Sequence, residues 1–252
     1  MSTASVLVAE RASRLFRNHA ETVTACRDVD LTVGAGEFVV VRGRSGAGKT
    51  TLLDLLAGLI RPTSGRVEAL GVDLGTASES RLAQLRREQI ATIPQDFGLI
   101  AALTAEQNVA VPLRLAGTDP ALRDDAVAAA LAAVGLAEQG KQRPDQLSGG
   151  QQQRVAIARA LVLPRPVVLA DEPTGSLDST TGAMVIEALR DLARSGNSAV
   201  VVTTHDPAVS EQADRVFEIH DGTLRDVTPA PTGRHSEAAA VTADPAGRPV
   251  TG

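Results

Sequence analysis

The run Gly43-Arg44-Ser45-Gly46-Ala47-Gly48-Lys49-Thr50 constrains the fold of this chain more tightly than any other stretch. Before it stands Phe38-Val39-Val40-Val41, whose unbroken apolar character predicts a buried strand; after it, Thr51 to Leu56 carries leucines at helical spacing. Strand, glycine-rich turn and helix, in that order, is the context of a phosphate-binding loop. The glycines relieve the backbone of Cβ clashes, so several N–H groups can converge on one concave spot. The first turn of the helix, around Thr51, adds unpaired N–H groups and the positive end of its dipole. Lys49 is then expected to reach the β- and γ-phosphates of a nucleoside triphosphate, and Thr50 to give its hydroxyl to Mg²⁺. The motif specifies a ligand class and says nothing yet of the work done.

At 252 residues the chain is long enough for one large domain or a domain with a subdomain. A hydrophobic share of 43% with 22% charged residues predicts a soluble globular protein. The net charge of −5 leaves no global basic footprint, and aromatic residues make up only 2%. Nucleic acid is therefore a disfavoured partner. Cys26 is the sole cysteine, so no intrachain disulfide can form, and its expected role is that of a small buried hydrophobe. The N-terminus lacks the apolar core of a secretory leader, and no stretch approaches the roughly 20 apolar residues of a membrane span. These features lead us to expect a cytoplasmic protein; any membrane span it works with comes from another chain.

Along the chain, Ser5 to Val8 and Val29 to Val33 read as early strands of a small antiparallel layer, and Arg66 to Val72 as another strand. Ser80 to Glu88 predicts an arginine-rich surface helix and Ile90 to Ile93 a strand. From Asp96 to about Leu163 alanine and leucine recur at helical spacing, which predicts a helical subdomain inserted into an α/β core. Val167 to Ala170 and Ser198 to Thr203 read as buried strands, Thr181 to Arg194 as an amphipathic helix, and Val216 to Leu224 as a closing hairpin. The domain is expected over 5–227, and the Pro-, Ala-, Gly- and Thr-rich remainder, 228–252, as a disordered tail.

A second informative site follows the apolar strand Val167 to Ala170. It delivers Asp171 to the carboxyl edge of the sheet, where ligands of open α/β sheets bind and an acid can hold Mg²⁺. Glu172 is the adjacent residue, so its side chain is expected to point elsewhere, placed to deprotonate the water that attacks the γ-phosphate. In a third stretch, Leu147-Ser148-Gly149-Gly150-Gln151-Gln152-Gln153-Arg154, Ser148 caps a helix opened by the two glycines. That helix start is a second anion site. One chain has one phosphate loop, so the second site is most simply explained as serving a nucleotide held by another copy, in a head-to-tail pair about a two-fold axis. Phe16, among arginines, could stack on a base or belong to the core.

Together these motifs resemble the ATP-binding subunits of ABC transporters, over about Ser5 to Asp226. The loop is similar to the family's Walker A, Val167 to Glu172 to its Walker B, Leu147 to Arg154 to its signature and Ser176-Leu177-Asp178 to its D-loop, with Gln95 at the Q-loop and His205 at the switch histidine. The resemblance implies a RecA-like P-loop NTPase core with an antiparallel β layer and a helical subdomain. It also implies ATP and Mg²⁺ as ligands, with Gln95 sensing the metal and the attacking water, His205 contacting the γ-phosphate and Asp178 signalling across a homodimer. Phe16 falls where the family carries an aromatic, often Tyr, that stacks on adenine.

Ile93 to Ile100, Leu103 to Val109 and Val111 to Gly117 look like the branch containing LolD, MacB and FtsE. Members of that branch serve lipoprotein release, antibiotic or peptide export, and cell-division signalling. On this resemblance the expected partner is an integral membrane permease whose coupling helix enters a groove around Phe97 to Val111, which holds the chain at the inner face of the cell membrane. A division-signalling role without transport is the alternative. A soluble ABC ATPase acting on DNA or ribosomes is disfavoured, because the long coiled coil, zinc cysteines or paired cassettes of such proteins are missing here.

Overall fold

A computed structural model describes residues 5–17, 22–196 and 198–229. Two sheets lie at its centre. The first runs β2-β1-β4-β5, all antiparallel, from β1 (Ser5–Arg17), β2 (Thr22–Gly34), β4 (Ser64–Ala69) and β5 (Val72–Asp73). The second has the order β10-β9-β3-β8-β7-β6. Its strands are β3 (Phe38–Arg42), β6 (Ile90–Ile93), β7 (Val167–Asp171), β8 (Ala199–Thr204), β9 (Arg215–His220) and β10 (Thr223–Asp226), parallel except for β10. The α/β class expected from the sequence, a parallel core beside an antiparallel layer, is the one the chain adopts.

Alternation along β3 shows why both faces of the parallel sheet must be covered. Val39 and Val41 enter a core shared with β1, β2 and β4 and with α1 (Lys49–Leu56) and α2 (Glu79–Glu88). Phe38 and Val40 enter a second core, against α5 (Gly149–Leu161) and α6 (Ser179–Gly196). A strand buried on both sides must be continuously apolar, as this one is. A third core lies entirely among helices: α3 (Ala105–Leu115), α4 (Pro120–Ala133) and α5 close on Val109, Leu113, Leu131 and Val155. Helix α5 thus belongs to two cores at once, with Ile157 turned to the sheet and Val155 to the other helices.

The antiparallel layer departs most from the sequence reading. Strand β1 runs on to Arg17 instead of stopping near Val8, because bulges between Ala9 and Leu15 absorb residues that break the alternation. Arg11 sits at φ 45° with its N–H bonded to Asp30 Oδ1 at 2.8 Å. Where a single strand was expected over Arg66 to Val72, the chain makes the tight hairpin β4-β5. Leu70 and Gly71 both have positive φ, 53° and 77°, the turn geometry that matches strand twist. At the other end, Val227 N–H bonds the Val216 carbonyl at 2.9 Å and Thr228 Oγ1 accepts from Val216 N–H at 3.0 Å, so ordered pairing reaches Thr228. The rest of the expected tail, 230–252, lies outside the described residues.

Candidate active site

The phosphate loop joins β3 to α1 at the carboxyl edge of the parallel sheet. Gly48 sits at φ 110°, and a Cβ there would lie 2.2 Å from the Ala25 carbonyl oxygen, so only glycine lets the loop pass beneath β2. It is also the N-cap of α1 and supplies no side chain to the helix, which leaves the first-turn N–H groups available to an anion. Gly43 faces inward: a Cβ there would meet the Ile219 carbonyl oxygen at 2.6 Å. Ala47 is likewise buried in the core. Arg44, Ser45, Gly46, Lys49, Thr50 and Thr51 line a cleft of about 700 Å³.

Lys49, Thr50, Asp171, Glu172 and His205 line that cleft and are linked to one another, with Thr203 buried behind the acids. Lys49 Nζ donates to the carbonyls of Gly43 (2.8 Å) and Arg44 (3.3 Å) and lies 3.2 Å from Glu172 Oε1. Thr50 Oγ1 donates to Asp171 Oδ2 at 2.6 Å. The other Asp171 oxygen accepts from Thr203 Oγ1 at 2.5 Å. His205 Nδ1 lies 2.9 Å from Glu172 Oε2.

Asp171 and Glu172 are adjacent in sequence yet both face the cleft, contrary to the expectation that Glu172 would point elsewhere. The cause is backbone. Glu172 adopts φ 47°, held by its N–H bonded to the carbonyl and hydroxyl of Thr203 at 3.1 and 3.2 Å. That left-handed residue cancels the strand alternation that would have separated the two acids.

Gln95, separated from the end of β6 by Pro94, also lines the cleft. The turn that follows it is tied to α5: Arg159 donates to the carbonyls of Phe97 (2.8 Å) and Gly98 (2.5 Å), and burial pulls its guanidinium pKa below the ordinary value. Phe16 is not part of the cleft wall. It is half exposed beside Val23, its register partner, and carries the Arg14 guanidinium 4.7 Å from its ring centre, while Val23, Thr24 and Ala25 form the wall itself.

Ser148, Gly149 and Gly150 stand apart from this cleft. Ser148 caps α5 through a reciprocal box, its hydroxyl accepting from Gln151 N–H at 3.3 Å and Gln151 Oε1 accepting from Ser148 N–H at 2.8 Å. Ser148 and Gly149 are exposed. Asp178 accepts from Thr181 N–H (3.0 Å) and Oγ1 (2.7 Å) at the start of α6, and those bonds, the backbone one foremost, hold its carboxyl below the usual range.

Sequence reasoning passed over several residues here. Thr203 orders both acids, and only its place on β8 next to β7 reveals it. Asp54 lies one turn beyond Thr50, and its carboxyl is raised by burial and by the charge of Asp171. Gln153 lines the cleft from α5.

The residues present fit Mg²⁺. Thr50 and Asp171 offer hard oxygen donors in contact with each other beside the phosphate loop, the donor chemistry that this ion prefers. Among the described residues no helix is long and apolar enough to cross a membrane.

Comparison with known proteins agrees with this geometry. The profile described as "ABC transporter" matches residues 26–175, more than half of the chain. The macrolide export ATP-binding/permease protein MacB of Salmonella typhimurium is 44% identical over 218 residues, 86% of this chain and 34% of that protein. The MacB of Pectobacterium atrosepticum is 43% identical over 251 residues, 100% of this chain and 38% of its own length. The chain thus spans about a third of the curated relatives it matches. Among solved structures, the ATP-binding cassette MJ0796, described as a dimer in a post-hydrolysis state with ADP and Pi, superposes with a TM-score of 0.85. It is 35% identical, over 88% of this chain and 98% of that one. With a phosphate loop, paired acids and a capped signature helix arranged on the matching fold, the chain belongs to the ABC transporter family.

Proposed function

We propose that this chain binds and hydrolyses ATP within a head-to-tail dimer of itself and thereby drives an integral membrane permease. One observation carries the catalytic part: the Glu172 carboxylate sits between Lys49 and His205, at the mouth of the phosphate loop. Loop and helix N–H groups take the phosphates, and Lys49 exchanges its protein partners for the β- and γ-phosphate oxygens. Thr50 and Asp171 would hold Mg²⁺, with Gln95 beside them; when bound, the ion neutralises charge on the phosphates. Glu172 accepts a proton from the attacking water as its oxygen bonds to the γ-phosphorus. The bond to the bridging oxygen breaks, and ADP and phosphate leave. His205 orients Glu172 and reaches the γ-phosphate side of the cleft. The base extends past Val23 toward the exposed Phe16.

The dimer is supported by the exposed, capped start of α5, which lies away from this chain's own cleft. Ser148, Gly149 and Gly150 would meet the triphosphate of the other copy. The permease is supported by a recess of about 550 Å³ between α1 and the Gln95 turn, with Leu53, Ala57, Leu59, Ile93 and Pro94 on its apolar side and Thr50, Asp54 and Asp171 on its polar side. A partner there would place the chain on the cytoplasmic face of the membrane. The similarity to MacB favours export as the work done.

Steady-state hydrolysis by the Glu172→Gln variant tests the reading. It should retain ATP, accumulate as a dimer and turn over at least about 10²-fold more slowly. Turnover at the unaltered rate would remove Glu172 from the role of base.

A further inference from the structure

The buried face of α5 is apolar where it packs on the sheet, with Ile157 and Ala160 in the core beneath α6. Gln153, one turn before Ile157 on the same face, breaks that pattern. Its side chain is only 1% exposed, and its Nε2 has no hydrogen-bond partner among the described residues. A buried donor left unpaired costs roughly 1–3 kcal/mol, and an apolar residue of the same shape avoids that cost. The chain nevertheless places an amide where the apolar sheet gives way to the nucleotide cleft.

Among the described residues, Gln153 alone of the side chains with an unpaired buried polar atom lines that cleft, together with Gln95, Glu172, Gly175, Ser176 and His205. No described residue supplies an acceptor for its N–H, and the cleft is a space that its side chain borders. A buried amide in a roomy polar cavity is satisfied by water when two to four polar groups converge on it, and Gln95 and Glu172 provide the others here.

We propose that Gln153 is a positioning residue for hydrolysis, donating from α5 to the water that Glu172 deprotonates and Gln95 also faces. This rests on the ATPase reading above. The water then lies among a base, an acceptor or donor amide at Gln95 and a donor amide at Gln153, which fixes its lone pair toward the γ-phosphorus. Gln153 shares α5 with the Ser148 cap, so the water's third contact belongs to the same helix that would meet the other copy's nucleotide.

The test is Gln153→Met, which keeps the shape and removes the donor, measured in the full chain beside the unaltered protein and Glu172→Gln. We expect kcat to fall roughly 10- to 100-fold with KM and ATP affinity unchanged within about twofold. Thermal stability, followed by circular dichroism, should hold or rise, because an unpaired amide has left the interior. That divergence of lower turnover and undiminished stability is what a merely structural glutamine does not produce. An unchanged kcat overturns the proposal. So does a parallel loss of ATP affinity, which would make Gln153 a nucleotide contact, and so does unfolding or a lowered melting temperature, which would make it a structural donor. If Glu172→Gln is inactive while Gln153→Met is not, only this proposal falls. If Glu172→Gln hydrolyses normally, the ATPase reading falls with it.

Discussion

The ammonium of Lys49 and the carboxylate of Glu172 lie 3.2 Å apart with side chains only 9% and 10% exposed, so the candidate phosphate-binding cation and the candidate base form a buried ion pair. Removing one charge from a buried pair strands the other. Besides losing turnover, Glu172→Gln should therefore be less stable than the unaltered chain without nucleotide, by about 1–3 kcal/mol, since glutamine still accepts hydrogen bonds. Saturating ATP and Mg²⁺ should close most of that gap by giving Lys49 a new partner. Melting curves with and without nucleotide check it.

Ser148 is expected to act on a nucleotide that its own chain does not hold. Ser148→Arg should reduce hydrolysis by at least about tenfold and abolish dimer formation by the Glu172→Gln background, while single-copy ATP affinity stays within twofold. The lost cap itself should lower stability by only about 1 kcal/mol. Equilibrium binding at dilute protein, beside sedimentation at high protein, separates the two effects.

Thr203 gives its hydroxyl to Asp171 and accepts from the Glu172 N–H. Thr203→Val preserves shape and deletes both bonds. It should cost about 1–3 kcal/mol of stability and raise the Mg²⁺ concentration needed for half-maximal hydrolysis several-fold, whereas Thr203→Ser should restore both.

Cys26 is fully buried beside the phosphate loop, its Sγ 3.9 Å from the Gly48 carbonyl oxygen, and burial pushes its thiol up to about 12 from an ordinary 9.0. At pH 8 the folded chain should resist maleimide, and the denatured chain should react at once. The folded state holds this proton more tightly than the unfolded one. Its contribution to stability is thus whole below about pH 9 and is lost as pH climbs toward 12.

Phe16→Ala should weaken ATP and GTP binding alike, by roughly 1–3 kcal/mol, because every base offers a π-face. Calorimetric titration with both nucleotides checks it. A selective loss of ATP alone would point to a hydrogen-bonding contact instead of stacking.

Much of this architecture was legible because it is written in local patterns. The glycine loop, the unbroken apolar strands β3, β7 and β8 and the Ser148 cap each declare themselves within a dozen residues. What escaped depends on neighbours distant in sequence or on positive φ. The bulges of β1 are stabilised by Asp28 and Asp30 of β2, so the strand's length cannot be read from β1 itself. The aim of Glu172 depends on Thr203, some thirty residues on, and a polarity rule for helices would have dismissed Gln153 as surface. The candidate site was legible as a list of residues. Its geometry required the register of the sheet.

The strand that feeds the phosphate loop, β3, has β8 on one side and β9 on the other. The loop itself is pinned by the β9–β10 turn, Gly222 N–H bonding the Ala47 carbonyl at 3.0 Å while its own carbonyl accepts from Arg27 N–H at 2.8 Å. During synthesis, therefore, a nascent chain that has emerged only through α5 possesses every residue of the loop but neither of the strands that shape it. The shape of the phosphate loop thus depends on segments that are synthesised about 150 residues or more after it.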